Sequence, residues 1–463
     1  MGLGGFAVER AAAQNAGTPP TWAAPFKRVC GGFPLGISAG DVNLDGLPDI
    51  AVVQTQKQLS AGDPRTSAPA QVLIYKNTGS WGVPSNGLSA GPHWTVTLPD
   101  AIDPVLIPLH VELVDVNDDN YPDVLVSVGA AEDPTDPPAG YAPGLYYFRF
   151  IPALQVFATD PVYYATAVPI SRFRVADMNG DQLPDVVAAT DGRAYDYSNS
   201  DSVRIFYHVA DPQAASPFHP EEALLHVDPN NDEANMPTNT CVVGNFHRRG
   251  GIPGGTADIV TDSMPILSNN GNASGQFPTF TIYPQTFCSG QSISIDHDMT
   301  AGNFRFMNVM TDIATISGIN PEIRVFRSPI LAGGTPVLSH DCLTDVYPIS
   351  AFCGEYQPTI KLHGIANAML NSGSYLDLAA TGCDPYVAIL LGKGNSKFQI
   401  DTNDAAYFVS AMPAADELFA EVAQVIAVDL NLDGKIDLVT SNHYDLNDPP
   451  YDGTISVIIN TTP

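Results

Sequence analysis

Four short stretches of this chain carry the residues best suited to chemistry. Each follows the phrase Asp-x-Asn-x-Asp-x-x-x-Asp, and they begin at Asp41, Asp115, Asp177 and Asp429. Oxygen-bearing side chains therefore recur at positions 1, 3, 5 and 9 of each stretch. Calcium takes about six to eight oxygen ligands, and a tight loop that turns alternate side chains inward, with a backbone carbonyl at position 7, supplies most of such a shell. The implied chemistry is binding of a hard divalent cation. Because the phrase recurs four times, each time ahead of an alternating apolar run, it also implies a structural repeat.

Other reactive patterns are weaker. Gly36-Ile-Ser-Ala-Gly40 fits G-x-S-x-G, but it runs into a metal loop and a strand instead of the helix that a nucleophile elbow requires. The pentapeptide reads instead as a small-residue inner strand. The aspartates at fixed spacing are already committed to the loops, which leaves no pair for general acid–base work. His110, His219 and His363 read as surface or core histidines, and His247-Arg248-Arg249 as a solvated loop. Six cysteines (Cys30, Cys241, Cys288, Cys342, Cys353 and Cys383) show no C-x-x-C spacing, which argues against zinc and thiol redox chemistry. Their even number favours an oxidising compartment, and Cys342 with Cys353 is the expected disulfide because the two bracket one short loop. Two sequons, at Asn272 and Asn460, are expected to have arisen by chance.

Composition narrows the partners. The chain has 463 residues, of which 44% are hydrophobic, and 50 acidic against 20 basic residues give a formal charge of -30. Such a field repels nucleic acid and anionic membranes and leaves cations as electrostatic partners. Four bound calcium ions would offset about eight of those charges. No apolar run is long enough for a transmembrane helix. Residues 1–20 lack a signal-peptide core and read as a flexible lead-in to one large domain, 21–463.

The elements that must position the loops follow from their spacing. Starts at 41, 115, 177 and 429 leave one long gap, equal to about four steps of the same period, so three degenerate units belong inside it. They lie near 242–258, 300–312 and 364–377, where the closing aspartate (Asp258, Asp312, Asp377) survives and the other carboxylates do not. Each unit continues with a short strand such as DIAVV, DVLVSV or DLVTS, then a loop, then a second alternating strand such as QVLIYKN or TISVIIN. Seven units of roughly four strands predict an all-β chain folded as a seven-bladed β-propeller of four-stranded antiparallel blades. The last unit lacks its fourth strand. Residues 21–30, TWAAPFKRVC, have the character to supply it and so to close the ring.

The phrases DVNLDGLPDI, DVNDDNYPDV, DMNGDQLPDV and DLNLDGKIDL resemble the FG-GAP or VCBS repeats of integrin alpha-subunit heads, bacterial surface proteins and certain fungal lectins. The resemblance covers the chain from about residue 21 onward. It implies one calcium per loop, about four structural ions in all. The implied ligands are Asp41, Asn43, Asp45 and Asp49; Asp115, Asn117, Asp119 and Asp123; Asp177, Asn179, Asp181 and Asp185; and Asp429, Asn431, Asp433 and Asp437. The carbonyls of Leu47, Tyr121, Leu183 and Lys435 complete the shells. Position 6 is Gly46 and Gly434 in two loops but Asn120 and Gln182 in the others, so the third site is expected to be the most strained. Units four to six are expected to hold no such ion.

A binding face is also expected. The loops between the short strand and the second alternating strand are long in units seven, one, two and three, and Tyr141, Tyr195, Tyr197, Tyr444 and Tyr451 fall on them beside acidic and amide groups. Aromatic faces with polar neighbours suit sugars or protein partners. The expectation is an extracellular or cell-surface module, not an enzyme, that recognises a protein or carbohydrate. A lectin with sugars between blades, a subunit of a larger surface assembly and a propeller polysaccharide lyase are the alternatives.

Overall fold

In a computed structural model the chain is described over residues 17–55, 70–82, 85–99, 106–130, 143–166, 169–190, 202–211, 214–219, 223–226, 240–246, 257–262, 265–271, 277–283, 296–305, 311–317, 322–328, 338–339, 345–349, 364–383, 386–400, 407–411, 420–444 and 453–463. It is all-β, with seven antiparallel sheets that form the blades of a seven-bladed propeller. Blade one orders Phe33–Gly40, Asp49–Thr55, Gln71–Tyr75 and Trp94–Thr97 from its inner strand outward. The other inner strands are Leu106–Val114, Ile170–Ala176, Cys241–Gly244, Asp296–Gly302, Ile365–Ala368 and Ala420–Val428. In blade six the outermost position is split between Phe398–Gln399 and Phe408–Ser410, which pair with opposite ends of Tyr386–Gly392.

The ring closes as expected. Phe26–Val29 completes blade seven by pairing antiparallel with Thr454–Ile458, with Phe26 opposite Val457 and Val29 opposite Thr454. Pairing extends outward through a Trp22–Asn460 bridge and a hydrogen bond from Thr461 N to Thr21 O of 2.7 Å. Arg28 then fastens this strand to blade one, its Nε and Nη2 donating to the carbonyls of Ser89 and Leu88 at 2.8 and 2.7 Å. The edge of Thr454–Ile458 is thereby paired and no longer open to template association.

The core lies between blades. Ala51, Val53, Val72 and Ile74 of blade one pack against Val124, Val126 and Phe148 of blade two, while Ile50, Val52 and Tyr75 pack against Val439, Ile455 and Val457 of blade seven. A middle strand is thus covered on both faces, which explains its continuous apolar reading (Asp49–Thr55 is buried throughout). Gly36 marks how closely blades approach at the axis: a Cβ there would meet Cα of His110 and O of Leu109, each at 2.8 Å.

Candidate metal loops and axial channel

The four loops share one internal geometry. In blade one the Asp41 carboxylate accepts the N–H groups of Asp45 and Gly46 at 3.0 and 2.7 Å, Asn43 Oδ1 accepts Asp45 N at 3.2 Å, and Asp45 Oδ1 accepts Leu47 N at 3.1 Å. Asp115, Asp177 and Asp429 make the same pair of bonds to positions 5 and 6 of their own loops, at 3.1 and 2.7, 3.2 and 2.9, and 3.2 and 2.9 Å. Asn117, Asn179 and Asn431 likewise accept from position 5, and Asp119, Asp181 and Asp433 from the position-7 N–H groups of Tyr121, Leu183 and Lys435. The sequence repeat therefore encodes one loop conformation, built four times.

Two positions in every loop adopt the left-handed backbone. Position 4 is Leu44, Asp118, Gly180 and Leu432, and position 6 is Gly46, Asn120, Gln182 and Gly434, all with φ between 56° and 86°. Gln182 does sit at φ 71°, but the glycine missing there has moved to Gly180, whereas loops one and four carry the non-glycine at position 4. Strain therefore does not single out the third loop. Sequence reasoning looked only at position 6 and missed the paired requirement at position 4.

The position-9 aspartates do something more general. Asp49, Asp123, Asp185 and Asp437 are fully buried, as are or nearly are Asp258, Asp312 and Asp377 in the blades without a complete loop. Asp49 Oδ2 accepts Val42 N at 3.1 Å, and its Oδ1 accepts Asn77 N, just past the third strand, at 2.8 Å. Asp377 repeats this with Leu370 and Gly392, and Asp258 with Phe246 and Asn269. The closing aspartate is therefore a latch between loop and third strand in blades with and without a complete loop. Burial pushes the carboxyls of Asp49, Asp123 and Asp185 up to about 7 and that of Asp437 up to about 6.

In four blades the residue that the latch fixes also reaches to the preceding blade. Asn77 Nδ2 donates to Leu430 O of the blade-seven loop at 2.8 Å and to Pro48 O at 3.1 Å. Asn460 Nδ2 donates to Leu370 O of blade six at 2.7 Å, and Asn269 Nδ2 to Met178 O of blade three at 2.8 Å. His208 Nε2 lies 2.7 Å from Val116 O of blade two. Loops of neighbouring blades are thus coupled through one side chain. Asn460 being buried in this contact, its sequon is not an open acceptor for a glycan.

Lone pairs remain on these carboxylates, and the donor set is the hard-oxygen kind that calcium prefers. Among the described residues no three His, Cys, Asp or Glu side chains already converge as a metal cluster. The loops fit calcium by chemistry and turn geometry, not as a preformed cage. Positive side chains already flank position 5: Lys76 Nζ is 3.2 Å from Asp45, Arg149 Nη2 3.4 Å from Asp119 and Lys435 Nζ 3.9 Å from Asp433. In blade five Arg305 pairs with the closing Asp312 through Nε at 2.9 Å, so a guanidinium supplies positive charge inside a loop that has lost its carboxylates.

Several expected features fall elsewhere. Tyr141, Tyr195, Tyr197 and Tyr451 lie outside the described residues, as do Cys288, Cys342, Cys353, His363, Asn272 and His247-Arg248-Arg249. Tyr444 ends the strand Asp437–Tyr444, opposite Ala420. Cys30 and Cys241 are buried free thiols. The Ser38 hydroxyl accepts Leu113 N at 3.1 Å, and the G-x-S-x-G match lies in the strand Phe33–Gly40, which runs into the Asp41 loop and not into a helix. His219 stacks edge-on against Phe277. Among the described residues no helix is long and apolar enough to cross a membrane.

His110 is a buried histidine, one of the two roles expected of it. It lines the axial channel, a cavity of about 680 Å³ walled by the inner strands of all seven blades. Five of those strands carry a register irregularity at the same level: Pro34/Ile37, Pro108/His110, Ile170/Arg172, Asp296/Asp298 and Val422/Gln424. Such bulges re-aim the side chain that follows. Four of the residues they place are polar: His110, Arg172, Asp298 and Gln424. His110 Nε2 is 3.2 Å from Glu112 Oε1. Arg172 and Arg174 reach from blade three to Asp298 of blade five at 3.2 and 3.4 Å. Sequence reading missed this cluster because its members come from strands far apart in the chain, and a bulge leaves no signature in period-two alternation.

No family model and no curated protein matches this chain. Among solved structures it is similar to BBS1N, crystallised in complex with ARL6DN, at 10% identity and TM-score 0.44 over 96% of this chain and 99% of that one. It is also similar to the Bacillus licheniformis rhamnogalacturonan lyase PL11, at 12% identity and TM-score 0.48 over 96% of this chain and 76% of that one. The NanB sialidase of Streptococcus pneumoniae aligns at 8% identity and TM-score 0.43 over 96% and 71%.

Proposed function

We propose that this chain is a calcium-braced recognition propeller of the FG-GAP or VCBS kind, working outside the cell or at its surface and binding a protein or carbohydrate without catalysis. The observation that carries this reading is the fourfold identity of the loop network, in which Asp41, Asp115, Asp177 and Asp429 each accept the N–H groups of positions 5 and 6. A carboxylate, an amide and a second carboxylate held in one turn, repeated on blades seven, one, two and three, suit a structural ion better than a single reaction centre. Calcium would take positions 1, 3 and 5 with the position-7 carbonyl and draw on the latch at position 9. What it supplies is charge neutralisation and rigidity; the loops then hold the faces of these blades in a fixed relation for a partner. Titration of metal-free protein with calcium by calorimetry is expected to show about four ions per chain. Excess EGTA is expected to lower the thermal midpoint by several degrees, about 2 kcal/mol or more of linkage at concentrations a hundredfold above Kd. An unchanged midpoint and no calcium heat would overturn the metal reading.

A further inference from the structure

We propose that the axial channel is itself a binding site, for an uncharged polyhydroxylated molecule of one or two sugar rings. The site is independent of the calcium loops. Its volume of about 680 Å³ lies in the range of small-molecule pockets, roughly 300–1,000 Å³. Its walls differ. One side, from blades two, three and five, is polar: His110, Glu112, Arg174 and Asp298. The facing side, from blades six and seven, carries no charge and mixes aliphatic Ala366 and Ile426 with the amides of Asn367 and Gln424.

Charge decides the class of ligand. The whole chain carries -30, yet the channel groups cancel: Arg172 and Arg174 face Asp298 and Glu112. Both guanidiniums are committed to one carboxylate, with Arg174 also donating to Met299 O at 3.2 Å and Phe173 O at 3.1 Å. No surplus of positive charge is available for a phosphate, sulfate or sugar acid, and no surplus of negative charge for an amine. What remains is a mixture of fixed donors and acceptors. Glu112 gives one oxygen to His110 and keeps the other, and Arg174 has more N–H groups than the three contacts use.

The histidine sets one more polarity. A carboxylate only accepts, so the His110 nitrogen facing Glu112 is the one that bears hydrogen, and Nδ1 is left as an acceptor. Nδ1 itself is fully buried and closed to the channel, so the groups that meet a ligand are the partly exposed side chains of Glu112, an acceptor, and Arg174, a donor. Hydroxyl groups both donate and accept, so a polyol satisfies such a wall where a purely accepting or purely donating ligand leaves groups unpaired. Its C–H face rests on Ala366 and Ile426. The bulges at one level in five blades show the same design, since they aim side chains at the axis that regular strands would place elsewhere.

The test is calorimetry on the full chain with glucose, galactose, mannose and lactose, beside glucuronate and glucosamine as charged probes. At least one neutral sugar is expected to bind saturably, with glucuronate and glucosamine at least tenfold weaker. Ala366→Phe, which fills the channel, is expected to abolish that binding while the calcium heat is unchanged. Glu112→Gln leaves the wall one charge positive and is expected to raise glucuronate affinity relative to the neutral sugar by about tenfold. The proposal is overturned if no neutral sugar binds, if only a charged probe binds, or if binding survives Ala366→Phe.

Discussion

Asn77 shows how one side chain can serve two blades. Its amide N–H completes the Asp49 latch, and its Nδ2 donates to the Leu430 and Pro48 carbonyls. Asn77→Ala leaves two buried acceptors without their donor and is expected to cost about 1–3 kcal/mol, read as a lower urea midpoint at constant m. Asn77→Asp sets a carboxylate against two carbonyls and is expected to cost more; equal or milder loss in Asn77→Asp would refute the donor role. Titration gives a second test, in a blade without a metal loop. Burial pushes the Asp377 carboxyl up to about 6, above the ordinary 3.8 of the unfolded chain, despite the backbone N–H groups of Gly392 and Leu370. The folded state therefore holds its proton more tightly than the unfolded one. Its contribution is fully present below about 4 and is lost as pH rises through about 6, on the order of 2–3 kcal/mol. The stability advantage of wild type over Asp377→Asn should accordingly widen as pH falls from 7 to 4, in chemical denaturation at fixed ionic strength. A constant difference would show that Asp377 does not titrate there.

The elements were legible where a pattern was local. Alternation marked the second and third strands of every blade, and the missing fourth strand of unit seven pointed to residues 21–30, where Phe26–Val29 in fact pairs with Thr454–Ile458. The loops were legible too, because aspartate spacing is local. What could not be read depends on distance: the Asn77–Leu430 and Asn460–Leu370 clamps join residues more than 80 apart, and a single buried asparagine after a strand carries no sign of its partner. Position 9 was legible as conserved among the seven units but not as a latch, since a buried carboxylate and a metal ligand look alike in sequence. Closure makes its own prediction. Removing residues 1–29 strips the pairs from Phe26 to Val29 and the Arg28 ties to Leu88 and Ser89, and leaves Thr454–Ile458 as an open apolar edge. The truncated chain should lose on the order of 3–5 kcal/mol and form oligomers at micromolar concentration, seen by light scattering. A monodisperse variant of unchanged stability would mean that closure rests on the blade interfaces alone.

At the scale of the molecule the ring is uneven. Blades seven, one, two and three carry complete loops, and blade five has Arg305 on its closing aspartate instead. Calcium should therefore stiffen one arc. The clamps decide how far that stiffening travels, because Leu430 of loop seven is tied through Asn77 to Asp49 of loop one, and Val116 of loop two through His208 to Asp185 of loop three. Within each pair, ordering one loop removes part of the entropy cost of ordering the other, which is positive coupling without a change of fold. Two further clamps lead out of the arc, from Asn460 to Leu370 of blade six and from Asn269 of blade four to Met178. Hydrogen exchange with and without calcium reads the pattern directly. Protection is expected to rise strongly across the loops that begin at Asp41, Asp115, Asp177 and Asp429, weakly at Leu370 and Asn269, and not at all around Asp312. In Asn77→Ala the gain at loop seven should shrink even though no metal ligand has changed. Uniform protection around the ring would show that calcium acts on the propeller as a whole and that the clamps do not confine it.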